Sequence, residues 1–526
     1  MTDTERSRGH GSRRGRILIG ALVGILAAGA GLGVAELVAV FTGAATSSLV
    51  VVGSSVIDLT PTPIKEFAIR TFGTADKLVL MVGVLTILAI VAGMAGMLAL
   101  RKFWTGAGIV LGFGAVGVAA AATRPGAGFA DIIPSAAAGI SAVAALYLLV
   151  RAAHNRMGRS RHRDEGEAGS VGRRSLLVTG AATAGVAVVG GFGGRFLQAK
   201  LGDISKSRAA VSLPRPASPA PELPAGYRLS VPGLGPFFTP NREFYRVDTV
   251  LTLPKVPAES WTLRIGGDVA RPIELTFDDL LSRPLVERDL TLSCVSNQVG
   301  GPYVGTARWL GFPLGDLMRA AGVRSGSDQL LSRSDDGMTI GTPMEAVLDG
   351  RDALLTVAMN GEPLPVEHGF PARMIVPGFY GYTSATKWVV ELNATRYDQV
   401  DAYWTARDWN PRGVVKTQSR IDVPRPFGRV QAGEVVVAGV AWAQHRGISA
   451  VQVRMDGGPW QDALLTEPVS ADTWRQWRTT FDASAGTRRF EVRAADGNGD
   501  MQTAERVPPF PAGSSGWHSV AVTVTS

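Results

Sequence analysis

Cysteine is almost absent from this chain of 526 residues: Cys294 is the only one, in the stretch TLSCVSNQVGG at 291–301. Without a second cysteine the chain forms no internal disulfide, and a zinc site built from several cysteines is excluded. Three interpretations of Cys294 remain open. It is a buried bystander, a nucleophile, or a single thiolate ligand to a metal whose other ligands come from outside the protein.

Histidine is also scarce, and several catalytic motifs are missing. Beyond residue 200 the histidines are His368, His445 and His518, and no two have the spacing of a metal-binding helix. We find no nucleophile elbow between a strand and a helix, no haem-attachment motif, no phosphate-binding loop and no dinucleotide fingerprint. A nucleophilic pair of Cys294 and His368 stays open, because the sequence does not place the two side chains relative to each other.

The basic residues are unevenly distributed along a chain whose formal net charge is +8. Five arginines lie within the first sixteen residues, and a second basic cluster covers 151–174. Both clusters border apolar stretches, which indicates membrane topology. Nucleic-acid binding would favour basic and aromatic residues interleaved on a folded face, so we predict no nucleic-acid partner.

Long stretches without charge predict five transmembrane helices, at about 17–41, 78–100, 103–122, 132–150 and 175–194. A spanning helix needs about 20 apolar residues. The alternative, buried helices of a soluble core, predicts shorter stretches with polar faces. Only the first stretch holds an acidic residue, Glu36.

The loops predict the orientation of these helices. If the spans alternate, the basic segments before span one, between spans two and three, and at 151–174 share one side, and positive loops stay in the cytoplasm. The N-terminus is then cytoplasmic, and everything after residue 195 lies outside the cytoplasm of a multi-pass cell-membrane protein. Three basic residues in the loop 42–77, Lys65, Arg70 and Lys77, count against this orientation without reversing it.

Two arginines, Arg173 and Arg174, directly precede the fifth apolar stretch. A twin arginine is a bacterial export signal for proteins that cross the membrane already folded. Two ordinary positive-inside arginines are the alternative interpretation. The export interpretation gains weight if the exported domain must load a cofactor in the cytoplasm.

The predicted membrane region covers residues 1–199, and three segments of different composition follow it. Residues 200–230 are rich in Pro and Ala, which predicts an extended, semi-rigid linker. Residues 231–412 mix short strands and helices without βαβ alternation, which favours an α+β domain over a doubly wound parallel sheet. Within it, Thr276 is a predicted helix N-cap and Gly322 a predicted helix end. Residues 415–526 alternate between strands and Gly, Asp and Asn turns, which predicts an immunoglobulin-like antiparallel β-sandwich.

The segment 356–392, with NGEPLP, HGFPARMIVPG and KW in that order, resembles the molybdopterin core of the sulfite oxidase family. The likeness extends to LSCVSNQ and TARWLGFPL within 292–314 and to FFTPNREFY at 237–245. It continues through the C-terminal sandwich, which is similar to that family's dimerisation domain, and so implies homodimerisation. The resemblance covers roughly 226–526 and none of the membrane region.

This resemblance implies a molybdenum–molybdopterin cofactor and a role for Cys294. In the family one cysteine thiolate binds molybdenum, and the pterin dithiolene and oxo groups complete the metal's shell. A soft thiolate suits a metal already held by sulfur. The single cysteine is then explained as the single protein ligand.

Other site residues follow from the same resemblance. The implied cofactor-binding residues are Asn241, Phe244, Tyr245, Ser334, Asp335, His368, Arg373, Ser384, Thr386 and Lys387. Arg373 suits an anionic phosphate because its donor fork is always charged. The loop with Ser384, Thr386 and Lys387 is one residue longer here than in sulfite oxidases.

The sequence departs from sulfite oxidases around the substrate position. The family follows its ligand cysteine with two arginines that help bind sulfite, whereas Val295–Val299 here contains no basic residue. Trp409 stands where the family has its active-site tyrosine, and Arg446 is the one anion-binding arginine that survives. Charge-assisted contacts are the strong ones for a small anion. A different or less charged small substrate is therefore expected.

The sequence shows no cytochrome b5-like haem domain, and His10, His154 and His162 lie outside the predicted spans. Electrons are therefore expected to pass to a separate redox partner, a haem or quinone-linked protein. The leading hypothesis is a membrane-anchored, extracytoplasmic molybdenum oxidoreductase that moves an oxygen atom to or from a small sulfur- or nitrogen-containing substrate. The alternatives are a non-enzymatic envelope binding protein with a degenerate cofactor domain and, less favoured, a transporter, since functional intramembrane sites usually need ionisable residues.

Overall fold

The computed structural model describes residues 3–61, 64, 67, 71, 72, 76–124, 127–159 and 168–526. The chain forms two compact units. One comprises Met1–Asp203 with Thr249–Leu253, and the other comprises Ile204–Asp248 with Pro254–Ser526. Lys65, Arg70, His162 and residues 160–167 of the predicted basic cluster lie outside the described residues.

The first unit is helical. Its α-helices are α1 Asp3–Thr42, α2 Ser48–Leu59, α3 Asp76–Ala99, α4 Phe103–Ala122, α5 Phe129–Arg159, α6 Ala168–Val188 and α7 Gly194–Leu201, and a π-helical turn Val189–Gly193 joins the last two. The stretches long and apolar enough to cross a membrane are Gly15–Thr42, Lys77–Ala99, Phe103–Ala122, Phe129–Asn155 and Arg174–Ala210. The prediction of five such helices is confirmed, while their insertion into a membrane stays a prediction.

Two details of these helices differ from the sequence-based picture. The fourth stretch runs to Asn155, so His154 lies in its last turn, where its Nε2 is 3.0 Å from Leu100 O. Glu36 in α1 is buried and paired: its carboxylate accepts hydrogen bonds from Ser47 Oγ at 2.7 Å and Gln198 Nε2 at 3.2 Å. Such pairing lowers the cost of a carboxylate in an apolar helix.

Glycines let these helices approach closely. A Cβ atom at Gly24 of α1 would lie 1.8 Å from Ala92 O of α3, and one at Gly33 would lie 2.6 Å from Val186 O of α6. Small residues at helix crossings allow close van der Waals packing, which holds helices together where apolar surroundings would remove the hydrophobic effect between them. The helices therefore pack backbone to backbone at these points.

The second unit begins with two five-stranded sheets. Its strands here are β1 Thr262–Gly267, β2 Ile273–Thr276, β3 Val286–Ser293, β4 Val304–Pro313, β5 Gln329–Ser334, β6 Thr339–Pro343, β7 Leu354–Met359, β8 Glu362–Pro363, β9 Arg373–Ile375 and β10 Val389–Thr395. One sheet has the order β2-β1-β10-β5-β6, and the other has the order β3-β4-β7-β8 with β9 also paired to β7. Only β1 and β10 pair in parallel among these strands. A mixed, β-rich domain with short helices is what the α+β prediction describes.

Short helices fill the connections of this domain. They are α8 Ser205–Ala210, α9 Phe277–Leu281, α10 Leu314–Ala321, α11 Met344–Leu348 and α12 Gly381–Ser384. Thr276 caps α9 with a reciprocal capping box to Asp279, as its position predicts. Gly322 ends α10 with φ +70°, a left-handed conformation that glycine adopts without a Cβ penalty.

The predicted linker differs from a free tether. Residues 205–210 form α8, and Arg208 of this helix donates to Pro363 O at 2.6 Å and to Leu364 O at 2.9 Å. Arg208 also forms an ion pair with Glu362. Farther along, Ala217 N donates to Leu285 O at 2.7 Å. Composition indicated an extended segment, but these specific contacts fix part of it onto the folded domain.

The C-terminal part consists of two further sheets over one core. Its strands are β11 Gln418–Val423, β12 Arg429–Gln431, β13 Gly433–Trp442, β14 Ile448–Met455, β15 Gln461–Asp462, β16 Leu464–Leu465, β17 Arg475–Ala483, β18 Gly486–Asp496 and β19 His518–Thr525. The sheet orders are β11-β13-β17-β16 and β12-β19-β18-β14-β15. Trp477, Phe481 and Phe490 lie in the shared core. The immunoglobulin-like assignment stays a prediction.

His518 of β19 supplies a testable pH dependence. Burial, with Arg420 and Arg506 nearby, lowers its pKa to about 4, and its Nδ1 accepts the Ile421 N–H at 3.0 Å. Between about pH 6.5 and 4 the unfolded chain binds a proton that the folded chain refuses, so stability falls as pH falls through this window, by up to about 3 kcal/mol. Thermal unfolding followed by tryptophan fluorescence measures it, since Trp104 is the only tryptophan before residue 204.

The matched variants for this pH dependence are His518→Gln and His445→Gln. Glutamine keeps a hydrogen-bond acceptor but cannot titrate, so His518→Gln should make the melting temperature depend less on pH between 6.5 and 4. The dependence that remains includes the contribution of His368, whose pKa is also lowered to about 4. His445 is more exposed and should be replaceable without this change. An unchanged pH profile in His518→Gln would show that this histidine is not the titrating group.

Candidate active site

Cys294 directly follows strand β3 and begins a tightly bonded loop. Its N–H donates to Tyr303 O at 3.0 Å, and its carbonyl accepts from Asn297 N at 3.1 Å. The Asn297 side chain accepts the Tyr303 N–H at 2.9 Å, which ties the two ends of the loop together. The thiol-bearing residue is 8% exposed. The loop therefore holds one cysteine at the end of a strand, in a buried position.

The surroundings of Cys294 act on its protonation in both directions. Burial raises the pKa of the thiol, while hydrogen bonds from Ser296 and the positive charge of Lys387 lower it. A buried thiolate is stable only next to a positive charge. A metal ion provides that charge, and its binding displaces the thiol proton.

Tyr245 is near enough to Cys294 for the charge of the thiolate to act on its hydroxyl. Burial and the Cys294 charge raise the pKa of Tyr245, so its hydroxyl stays protonated. Its ring stacks on Phe244 at 5.2 Å, and Phe244 meets the His368 ring edge-on at 5.6 Å. The structure thus brings the predicted residues Phe244, Tyr245 and His368 together next to the cysteine.

His368 is held neutral. Burial, with Arg373 second, lowers its pKa to about 4, and its Nε2 lies 3.0 Å from the carbonyl oxygen of Asn241. A carbonyl only accepts, so Nε2 carries the hydrogen. The Asn241 side chain in turn bonds to Met359 O and Glu362. Hydrogen bonds within the protein therefore fix the positions of both His368 and Asn241.

Arg373 is a buried cation with few partners. It is 6% exposed, its Nη1 donates to His368 O at 3.2 Å, and its guanidinium lies 5.2 Å from the centre of the Trp309 ring. Its Nε has no hydrogen-bond partner and no carboxylate pairs with it among the residues described. Burial lowers its pKa to about 10. A buried charge left without a counter-ion is costly, so this position suits an anionic ligand.

Lys387 adds a second buried positive charge. Its Nζ donates to Asp248 Oδ2 at 3.2 Å and to Glu367 O at 3.3 Å, and burial lowers its pKa to about 8. Ser334 lies opposite Val389 in the β5–β10 register, and its buried Oγ has no partner within the described chain. Asp335 N donates to Trp388 O at 2.9 Å, so Ser334 and Asp335 lie beside the Lys387 loop.

The hydroxyls of the predicted residues Ser384 and Thr386 form hydrogen bonds to other groups of the protein. Ser384 Oγ donates to Phe379 O at 3.1 Å and Tyr380 O at 3.0 Å. Thr386 Oγ1 shares a 2.6 Å hydrogen bond with Ser332 Oγ. Both are buried, so these hydroxyls organise the loop, and their predicted contact with a phosphate stays a prediction.

Trp409 and Arg446, the predicted substrate-side residues, each have defined partners. Trp409 packs against Tyr382 at 5.7 Å, Trp404 at 5.9 Å and Phe510 at 5.3 Å. Arg446 Nε donates to Asp496 Oδ2 at 2.8 Å. The charge of Arg446 is therefore partly neutralised inside the protein, which weakens it as a binder of small anions.

Tyr380 is a site residue that sequence reasoning missed. It is buried, and burial together with the Cys294 charge raises its pKa to about 12. Its Oη accepts the Lys416 N–H at 3.3 Å. The available signal was its place in GFYGY, which lies inside the segment 356–392 that carries the family resemblance. Trp309, beneath Arg373, was missed too, because nothing in the sequence pairs a strand tryptophan with a distant arginine.

The chemistry of these residues fits a pterin cofactor that carries its own metal. Within the described chain no three His, Cys, Asp or Glu side chains form a metal-binding group, so a metal here needs ligands beyond Cys294. Arg373 Nε and Ser334 Oγ are buried polar atoms that lack partners. An anionic group near Arg373, Lys387 and Ser334 would satisfy them.

The fold and this site agree with the class of molybdopterin-binding domains of oxidoreductases. Residues 250–404 match the family described as oxidoreductase molybdopterin binding domain. Sulfite oxidase of Gallus gallus is 31% identical over 320 residues, which cover 52% of this chain and 69% of that protein. The chain belongs to the sulfite oxidase family.

Two further relatives cover smaller shares of their own length. Mitochondrial sulfite oxidase of Homo sapiens is 28% identical over 341 residues, 55% of this chain and 62% of that protein. Nitrate reductase [NADH] 2 of Nicotiana tabacum is 31% identical over 183 residues, 30% of this chain and 20% of that protein. The chain thus spans less than two thirds of the human protein that it matches.

Proposed function

We propose that this chain is a membrane-anchored, extracytoplasmic oxidoreductase in which Cys294 binds the molybdenum of a molybdopterin cofactor. The observation that carries the proposal is the grouping of one buried thiol with a buried arginine that pairs with no carboxylate in the part of the chain that the structure describes. Tyr245 links them, since both the Cys294 and Arg373 charges act on its pKa. The bound cofactor would supply two-electron oxygen-atom transfer at its metal.

The residues of the chain would divide the work of binding and positioning. Arg373, Lys387 and Ser334 would hold the anionic part of the cofactor. His368 would add no charge, and because its Nε2–H is bonded to Asn241 O, it would offer only Nδ1, as an acceptor. Tyr245 and Tyr380 keep their protons at neutral pH. Their hydroxyls would therefore act as hydrogen-bond donors close to Cys294, and would stabilise negative charge on the oxygen atom that is transferred.

The substrate that fits is a small sulfur- or nitrogen-containing compound with less negative charge than sulfite. Val295–Val299 offers no basic side chain, and Arg446 is bound to Asp496. The cluster of Tyr382, Trp404, Trp409 and Phe510 would offer apolar contact instead. Relatives named sulfite oxidase and nitrate reductase support a sulfur or nitrogen oxo compound as the class, in either reaction direction.

The proposed location rests on the helical unit. Five apolar helices support anchoring in the cell membrane, and the basic segments support a cytoplasmic N-terminus. The catalytic part would then face outward and pass electrons to a separate redox partner. The C-terminal sheets would serve as a dimerisation domain, and Arg173–Arg174 would direct export after cofactor loading.

Molybdenum per chain tests the cofactor assignment. We expect close to one atom per chain in full-length protein purified in detergent from cells that make the cofactor, measured by plasma mass spectrometry beside pterin fluorescence after oxidation. Flotation of the protein with membranes after a high-salt wash tests the anchor separately. Metal-free protein from such cells would refute the cofactor assignment, and release by salt would refute the anchor.

A further inference from the structure

The helical unit contains a cavity of about 280 Å³ that is open on one side and lined by helices α1 to α5. Its walls are almost entirely apolar, and two hydroxyls, Ser48 and Ser135, are the exception among its lining residues. We propose that this cavity binds a quinone that enters from the lipid bilayer. The inference rests on the proposed membrane placement of these helices, but not on the identity of the enzyme's substrate.

The polar end of the cavity can bind an acceptor. Ser135 Oγ donates to Ser48 Oγ at 3.1 Å, and both side chains are buried. Ser48 therefore has its own hydroxyl hydrogen to give, and no acceptor within the described chain takes it. A carbonyl oxygen of a ligand would accept this hydrogen bond, which is worth more in apolar surroundings than in water.

A polar cluster lies behind this end. Leu32 lines the cavity one helical turn before Glu36, and Ser47, next to Ser48, donates to Glu36 at 2.7 Å. Gln198 also donates to this carboxylate, at 3.2 Å. These bonds fix the positions of Ser47 and Ser48. The cavity thus has an apolar body and one rigid polar end.

The opening of the cavity faces the outside of the helical unit. Ile87 of α3 and Phe113 of α4 line it and are also exposed large apolar side chains. In a bilayer such a surface contacts lipid, so the occupant enters through the apolar phase. A water-soluble ligand would have no reason to enter, and an apolar cavity does not hold water stably.

A quinone fits the apolar walls, the hydroxyl donor at the polar end and the opening toward the apolar phase. Its prenyl tail is apolar, its flat ring fits between helices, and its carbonyls accept hydrogen bonds. A lipid acyl chain would fill the walls but leave the Ser48 donor without a partner, at a free-energy cost. Oxygen transfer from water to a substrate releases two electrons and two protons, which is what a quinone takes up to become a quinol. A quinone therefore also matches the electron count of the family's chemistry.

The test uses full-length protein in lipid nanodiscs and decylubiquinone as the probe. Equilibrium binding above the level of empty nanodiscs should saturate at one molecule per chain. Decylbenzene has the same tail without carbonyls and should bind at least 10-fold more weakly. Equal binding of the two compounds would mean a general lipid slot and overturn the proposal. Binding no greater than in empty nanodiscs would also overturn it.

Variants on one helix separate the cavity from the lipid-facing surface. Leu88→Trp fills the cavity and should abolish saturable binding, whereas Leu85→Trp, three residues away on α3 and exposed, should not change it. Replacing both hydroxyls together, Ser48→Ala with Ser135→Ala, removes both donors from the wall and should weaken decylubiquinone binding roughly 3- to 10-fold without affecting decylbenzene. Unchanged binding in Leu88→Trp, or in the double serine variant, would overturn the site.

These outcomes are distinguishable from failure of the proposed function. If the protein inserts into nanodiscs and carries molybdenum but does not bind decylubiquinone, only the cavity inference falls. If it does not associate with membranes, the anchor is refuted first and the quinone site with it.

Discussion

Cys294→Ser is expected to leave the pterin bound while turnover falls by more than about 100-fold. The reason is that Cys294 would be the only protein ligand of the metal, whereas Arg373, Lys387 and Ser334 would hold the rest of the cofactor. Loss of a residue that merely supports a metal ligand costs about 10–100-fold, so loss of the ligand itself should exceed that. Turnover with dimethyl sulfoxide, nitrate and sulfite as trial substrates, beside pterin content, measures the effect.

X-ray absorption at the molybdenum edge gives a readout that does not depend on the substrate. The sulfur count around the metal should drop by one in Cys294→Ser and stay unchanged in Ser293→Ala. Ser293 is the adjacent buried residue at the end of β3, and successive strand residues point to opposite faces. An unchanged sulfur count in Cys294→Ser would contradict the ligand assignment, whatever the activity.

The sequence predicts which residues form the candidate site better than it predicts the partners of those residues. Cys294, His368 and Arg373 stand in local motifs, and the fold does bring them to one region. The partners of Arg446 could not be predicted, because Asp496 is fifty residues away and reaches Arg446 only through the register of β14 and β18. Whether an arginine is free or neutralised depends on such long-range pairing.

The fold shows the same division between local and long-range determinants. The cap at Thr276 and the end at Gly322 are set by neighbouring backbone geometry, and both are confirmed. Helix α8 in the predicted linker was missed, because its stability depends on Arg208 bonding to carbonyls about 155 residues away. Composition describes the average behaviour of a Pro- and Ala-rich segment and says nothing of one arginine that anchors it.

Arg373→Met is expected to stabilise the cofactor-free protein and to remove the cofactor from it. Without an anion, the buried guanidinium has one carbonyl partner and one aromatic ring, and its pKa is lowered to about 10 because burial disfavours the charge. Methionine removes that cost, so thermal stability without cofactor should rise by about 1–3 kcal/mol. With cofactor available, pterin content should fall at least about 10-fold, since a hydrogen bond to a charged group is worth about 1.5–3 kcal/mol.

Arg308→Met is the matched control, because the same substitution should have the opposite effect on stability. Arg308 forms two hydrogen bonds, at 2.7 and 2.9 Å, to the buried carboxylate of Asp289. Its removal leaves that carboxylate without its strong partner and should destabilise the protein by about 3 kcal/mol, with pterin content per folded chain unchanged. Thermal unfolding of both variants in cofactor-free protein measures the contrast. If Arg373→Met destabilises as much as Arg308→Met, the guanidinium of Arg373 is satisfied by the protein itself, and the case for an anionic ligand there fails.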